Sequence, residues 1–209
     1  RTRAEHSFAD YGEYLKSLEM HAVIRPFEEI YYPRITQLTN KSNQFNLTTR
    51  RYTQEEIAQA ASDGDTVTLY GQLYDKFGDN GIVSVVIGSV AMQLTEEERD
   101  KDGRIIRKGE PTGRLALLID LWLMSCRVLK RDMEFAMMDA LEKECVRRGI
   151  PEIFGYYYPT AKNKMVMNFY DTMGFTKISE DEEGNTVWKY TIAGQGTKRN
   201  RYIAVEDDA

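Results

Sequence analysis

An α/β fold, a mixed twisted sheet flanked by helices with a helical segment on its N-terminal side, is predicted from the stretch between Leu115 and Phe175. Three observations carry that prediction. LALLIDLWLMS, residues 115–125, is a near-continuous apolar run broken only by Asp120, the pattern of a central strand buried on both faces. From Met133 the period becomes helical: Met133, Ala136, Met137, Ala140 and Leu141 share a face, and Arg147, Arg148 and Gly149 supply a cationic last turn and a stop. Pro151 then opens a short strand, EIFGYYY, after which Met165, Val166, Phe169, Tyr170 and Met173 repeat the helical spacing as far as Gly174.

The preceding elements follow in order. Phe8, Tyr11, Leu15 and Leu18, behind Ser7, predict a short helix whose apolar stripe packs either on this domain or on one upstream of it. HAVIR is extended, Pro26 breaks the chain, and Pro33 is placed to open a helix carrying Ile35 and Leu38. NKSNQFNLTTRRY has two readings: a solvated loop whose amides and hydroxyls bond their own backbone, or a polar wall of a ligand cleft formed by Asn43, Gln44, Asn46 and Thr48. Thr53 and Glu56 have capping-box spacing for a helix to about Ala61.

Asp63 and Asp65 match the D-x-D spacing of haloacid dehalogenase-type phosphatases. They follow the end of a capped helix and not a buried strand, so they are read as a turn. TVTLYGQLYDKF and IVSVVIGSVAMQL, joined through Gly78-Asp79-Asn80-Gly81, predict an antiparallel hairpin. Residues 95–114 read as an exposed excursion, ISED and TVWKYTIA as a terminal hairpin, and the chain from Gly194 onward as a loosely held polar tail.

A chain of 209 residues can bury one sizeable core. The formal net charge of -5 argues against nucleic acid as a partner. Two cysteines, Cys126 and Cys145, form no disulfide framework, and no apolar run reaches membrane length, so a cytoplasmic protein with free thiols and no membrane partner is expected. No cluster has metal-ligand spacing. Asp79, Asp120 and Glu134 are the carboxylates nearest the motifs below, and sequence does not say whether any serves as a base.

The order of elements resembles the GNAT acyltransferase fold, in which two central strands splay apart and the gap admits the pantetheine arm of an acyl thioester. NKMVMNFYDTMGF is similar to the family's N-x-x-A-x-x-[LF]-Y-x-x-x-G-F signature at Asn163, Phe169, Tyr170, Gly174 and Phe175, with Val166 at the usual Ala. The resemblance implies that Asn163 binds the pantetheine and that Tyr170 is the general acid for the leaving thiolate; the alternative is a core aromatic. After the central strand the family has [RQ]-x-x-G-x-[GA], whose backbone closes on a pyrophosphate. Arg127 matches it, while Lys130 and Asp132 replace the small residues, Asp132 as a helix cap that would repel a pyrophosphate and Lys130 and Arg131 as offsetting cations.

NQFNLTTRRYT, DKFGDNGIV, IDLWLMSCRVL and PTAKNKMVMNFYDTMGF together resemble the C-terminal region of FkbH-like proteins, in the haloacid dehalogenase superfamily, subfamily IIIC. Those proteins are associated with loading a glyceryl unit from 1,3-bisphosphoglycerate onto an acyl carrier protein in polyketide-type pathways. The resemblance implies a GNAT-like domain handling an acyl thioester on a carrier-bound phosphopantetheine arm, or an acyl-CoA. Backbone near Met124 and Ser125, with Arg127, Lys130 and Asn163, would hold the arm, and Cys126, beside Arg127 at a helix start, would carry a transient thioester or be a small buried apolar residue. The partners implied are the acyl carrier protein and an upstream haloacid dehalogenase-type domain. The expected division is then 1–27 as a linker helix and lead-in from that missing domain, 28–194 as the GNAT-like domain, and 195–209 as the tail. Two alternatives stand beside transfer: a non-catalytic docking shell, and an acetyl-CoA-dependent amine acetyltransferase.

Overall fold

The computed structural model describes residues 8–207, with side chains from residue 10; Ser7, expected before the first helix, lies outside the described residues. In chain order the elements are α1 (Phe8–Ser17), β1 (His21–Arg25), α2 (Tyr32–Lys41), α3 (Gln54–Ser62), β2 (Thr66–Asp75), β3 (Gly78–Leu94), β4 (Glu98–Arg99), β5 (Ile105–Arg107), β6 (Pro111–Met124), α4 (Met133–Arg148), β7 (Glu152–Tyr157), α5 (Phe169–Thr172), β8 (Thr176–Glu180), β9 (Thr186–Thr191) and β10 (Ala204–Val205). Eight strands form one sheet in the order β10-β1-β2-β3-β6-β7-β9-β8, and β4 and β5 form a separate exposed ribbon. Among the described residues only the β10/β1 and β6/β7 pairs are parallel.

Apolar residues on the two faces of the sheet build two cores. One packs α1, α4 and α5 through Leu15, Met137, Leu141 and Tyr170, and the other packs α2 and α3 through Ile35, Leu38 and Ile57. The predicted capping box of α3 is present, with Thr53 and Glu56 bonding reciprocally. Helix α4 spans the predicted residues and stops at Gly149, whose φ of +70° a side chain would resist. Leu15 and Leu18 are buried in the first core, so α1 packs on this domain.

Asp120 explains the break in the apolar run. Gly88 pairs with Ile119 and Ile87 with Leu121, which leaves Asp120 as the extra residue of a β-bulge. The side-chain alternation changes parity there: Leu117 and Ile119 face the α4 core, then Trp122 and Met124 do, with Leu121 and Leu123 facing α2. A bulge bends its strand, and β6 leaves β7 at this place; their pairing covers only Ala116–Leu118 against Glu152–Phe154.

Three expectations are corrected. The β2/β3 turn sits at Lys76-Phe77, not at residues 78–81, because the Asp75 carboxylate accepts the Phe77 N–H at 2.8 Å and closes the chain there. The helix expected from Met165 to Met173 divides into a 3-10 turn, Lys164–Val166, and the single-turn α5, interrupted at Asn168 (φ -107°, ψ 19°). Met165 is consequently exposed.

The tail, expected to be loose, is bound along α4. Asp139 accepts the N–H groups of Arg199 and Asn200 at 2.9 Å, and Arg199 reaches buried Glu142 at 2.8 Å. Tyr190 also donates to Glu142, at 2.5 Å, and β10 adds to the sheet edge beside His21 and Ala22. The polar composition that suggests a free tail serves to satisfy buried Glu142 and half-buried Asp139.

Removing Arg199 leaves the Glu142 charge buried without its cation, so Arg199→Ala should cost about 3–5 kcal/mol in urea unfolding, and adding Glu142→Gln should recover part of it. A second check uses acid. Burial raises the Asp75 carboxyl, but bonds from the Phe77 N–H, Asn80 and Arg131 outweigh it and hold the group below its usual range. The stability this supplies is present above the unfolded carboxyl's pKa of about 3.9 and is lost as pH falls through the lower folded value. Asp75→Asn should therefore flatten the acid limb of the stability curve below about pH 4.

Candidate functional site

Beyond Leu118 and Phe154 the strands β6 and β7 separate, and a segment of the chain itself enters the gap. Residues 45–48, from the α2–α3 connection, run antiparallel to β6 with Asn46 opposite Leu123. Met124 N–H donates to Phe45 O at 3.0 Å and Leu47 N–H to Trp122 O at 3.1 Å. Across the gap, Tyr158 N–H donates to Leu47 O at 2.9 Å. The Leu47 peptide thus bridges the strands that the bulge drives apart.

Asn163 clamps this insertion. Its Nδ2 donates to Asn46 O at 2.9 Å and Tyr158 O at 3.0 Å, and its Oδ1 accepts Thr160 N–H at 2.8 Å and the Tyr157 hydroxyl at 3.3 Å. Its hydrogen-bonding capacity is filled and it is fully buried, so the expectation that Asn163 orients a pantetheine arm is corrected: it orients the chain's own backbone. Asn46 and Thr48 are corrected likewise. Asn46 is buried, with Oδ1 accepting Thr49 N–H, and Thr48 donates to the bulged Asp120 carbonyl at 2.6 Å. The segment is neither a solvated loop nor, at these residues, a cleft wall.

Magnitude decides whether this insertion yields readily. Phe45 and Leu47 are buried, worth about 1.5–3 kcal/mol each, and five hydrogen bonds add about 0.5–1.5 kcal/mol each, together on the order of 10 kcal/mol. A micromolar ligand has about 8 kcal/mol of binding free energy. As folded, the place between the strands that the resemblance assigns to a pantetheine arm is occupied by the chain's own residues 45–48. The backbone donors expected to serve it are also committed: Met124 N–H to Phe45, and Ser125 N–H to Val83 O at 2.7 Å.

The loop after β6 keeps the backbone its resemblance implies without the glycines. Lys130 (φ +61°) and Asp132 (φ +80°) are left-handed at the two positions where small residues are usual. Asp132 makes no side-chain cap, correcting that expectation; its carboxylate accepts Arg201 N–H at 2.6 Å and Tyr202 N–H at 3.1 Å. Tyr11 of α1 donates to Lys130 O. Both ends of the described chain thus cover the loop. Arg131 is half-buried and paired with Asp75 at 3.0 Å, and Arg127, though exposed, donates to Asn80 O at 3.1 Å; Lys130 is the other exposed cation of the three expected to face a pyrophosphate.

Tyr170 is also withdrawn from solvent. Its ring lies on Gly155, where a Cβ would come within 2.4 Å of it, and its hydroxyl has no partner of hydrogen-bond geometry. Burial pushes the phenol far above its ordinary range, only partly offset by the Tyr156 backbone. The hydroxyl is thus enclosed, the placement that the core-aromatic alternative describes.

The remaining residues meet at the open end of the gap, in a cleft of about 530 Å³ floored by Phe45. Cys126 is exposed there, not a buried apolar residue, and its thiol donates to Gln44 Oε1 at 3.0 Å. Asn43 lines the same cleft and accepts from Arg51. Sequence reasoning missed its cations, Arg34, Lys41 and Lys162. The signal was present: Arg34, Leu38 and Lys41 have the i, i+4, i+7 spacing of one helix face. Glu134, Asp79 and Asp120 do not line it, and among the described residues no group of His, Cys, Asp or Glu is placed to hold a metal ion. No helix there is long and apolar enough to cross a membrane.

Two substitutions probe the insertion. Asn163→Ala should strand several buried polar groups and lower the urea midpoint by the equivalent of about 2–4 kcal/mol, whereas Tyr170→Phe, which removes an unsatisfied hydroxyl, should leave it unchanged or raise it.

No family model matches the chain, and no curated protein matches it. Solved structures do match in fold. Arabidopsis thaliana NAA60 in complex with acetyl-CoA aligns with a TM-score of 0.57 at 16% identity, over 83% of this chain and 99% of that one. The GNAT domain of S. lividans PAT aligns at 0.54 and 15% identity, over 81% and 89%. The ribosomal-protein-S18-alanine N-acetyltransferase from Escherichia coli aligns at 0.52 and 12% identity, over 84% and 98%. The mixed sheet flanked by helices is therefore the GNAT acetyltransferase fold, with residues 45–48 of this chain lying in its central gap.

Proposed function

We propose that this chain is a GNAT-like acyltransferase domain of FkbH-like type, passing an acyl group, glyceryl by its resemblance, to the phosphopantetheine thiol of an acyl carrier protein. The reacting atom is Cys126 Sγ at the mouth of the gap. The Cys126 thiol loses its proton to solvent and its sulfur attacks the acyl carbonyl of an activated donor; the donor's leaving group departs with its electron pair, and Cys126 holds the acyl group as a thioester. The carrier's thiol, its proton likewise lost to solvent, then attacks that carbonyl, and Cys126 leaves as thiolate, which solvent reprotonates. Because the gap is filled, the arm approaches from outside, and an acyl-CoA would have the same route.

The observation that carries this reading is the exposed Cys126 thiol held by Gln44 at 3.0 Å in an open cleft, the junction of two segments that carry the FkbH-like resemblance. Gln44 fixes the direction of the sulfur, and its position is set two residues away, where Asn163 grips Asn46.

The filled gap favours a second reading, a GNAT shell that docks the carrier protein or an upstream haloacid dehalogenase-type domain without chemistry. The two separate by intact-mass analysis after incubation with a glyceryl thioester and a phosphopantetheinylated carrier protein. Transfer predicts a glyceryl adduct on Cys126 that chases onto the carrier, its loss in Cys126→Ala, and near-normal transfer by Tyr170→Phe. A Cys126→Ala protein that transfers at the parent rate removes the cysteine from the mechanism. Co-elution with the carrier without an adduct or transfer leaves the docking shell.

A further inference from the structure

The charge around Cys126 is opposite in sign to that of the whole chain. The chain carries a formal net charge of -5, yet the cleft is lined by Arg34, Lys41 and Lys162 and by no carboxylate. Neither lysine ammonium has a carboxylate partner among the described residues, and Arg34 bonds the neutral Gln37 Oε1 at 2.6 Å. The three come from separate places, Arg34 and Lys41 from one face of α2 and Lys162 from the loop after β7.

Like charges converging on a concave site without a counter-charge repel one another and focus a positive potential on the space between them. That cost is relieved when an anion enters. A guanidinium fork with two ammonium groups matches a phosphate better than a single carboxylate, since a phosphate offers more acceptor oxygens and up to two negative charges. The cleft of about 530 Å³ is larger than a phosphate, leaving room for a short chain between that group and the thiol.

We propose that Arg34, Lys41 and Lys162 form a phosphate-binding site, which holds the phosphate of an acyl donor or of the acceptor arm while the acyl-bearing end of that molecule meets Cys126. The phosphate site stands on the rim itself; only its link to acyl transfer rests on the reading of Cys126 above. It lies apart from the loop at Lys130–Asp132, which the two chain ends cover.

Cys126 reports on this site directly, because the other cysteine, Cys145, is fully buried. Alkylation rates of the native protein by anionic iodoacetate and neutral iodoacetamide are compared with those of a free thiol. The iodoacetate-to-iodoacetamide ratio should exceed the free-thiol ratio by about tenfold, fall with added salt, and return toward the free-thiol value in Lys41→Gln/Lys162→Gln. Both lysines are exposed, so the fold should tolerate these changes, as circular dichroism would show. Inorganic phosphate should slow alkylation. 4′-Phosphopantetheine against pantetheine, and glycerol phosphate against glycerol, then identify the source, the arm or a small phosphorylated donor. A free-thiol ratio in the parent protein overturns the proposal, as does protection by pantetheine and glycerol equal to that by their phosphates. Both results are independent of whether Cys126→Ala abolishes transfer.

Discussion

The separation of β6 from β7 at the Asp120 bulge is the constraint on which the centre of the molecule depends. Parallel strands that part leave backbone groups facing a void, and buried polar groups without partners are costly. Here the void is filled from within the chain. Leu47 uses its N–H on one strand and its carbonyl on the start of the loop after the other, and Thr48 takes the bulged carbonyl of Asp120. Phe45 packs edge-on against Phe169, which in turn meets Trp122. The gap is thereby a continuation of the sheet and core, and the open cleft is displaced to its mouth.

This displacement reassigns the residues of the acyltransferase resemblance. Asn163 remains a hydrogen-bonding hub, but its partners are peptide groups of residues 46 and 158. Tyr170 remains packed beneath the gap, its hydroxyl sealed off. The loop at Lys130 and Asp132 retains a left-handed backbone while its carboxylate binds the tail. What stays accessible is a thiol, an amide and three cations around one cleft.

Much of the architecture was legible in the sequence. The central strand, the full extent of α4 and the α3 capping box follow from patterns local to a few turns of chain. The short final helix was overread because Met165 continues a helical spacing that the packing does not use; Val166, Phe169 and Tyr170 turn inward while Met165 faces solvent. The tail differs for the opposite reason, since its polar residues, which look solvated, satisfy the Asp139 and Glu142 carboxylates of α4.

By itself the sequence determined most of the central strands and helices, that Asp120 interrupts the central strand, and that Cys126 follows its end, because periodicity, caps and breakers act over short distances along the chain. Only the tertiary structure decided that residues 45–48 occupy the gap, that Asn46, Thr48 and Asn163 are internal ties, and that Arg34, Lys41 and Lys162 gather around the thiol. These depend on groups brought together from distant parts of the chain, such as Leu47 with Trp122 and Asn46 with Asn163, and no local pattern records where a loop's peptide groups will find their partners.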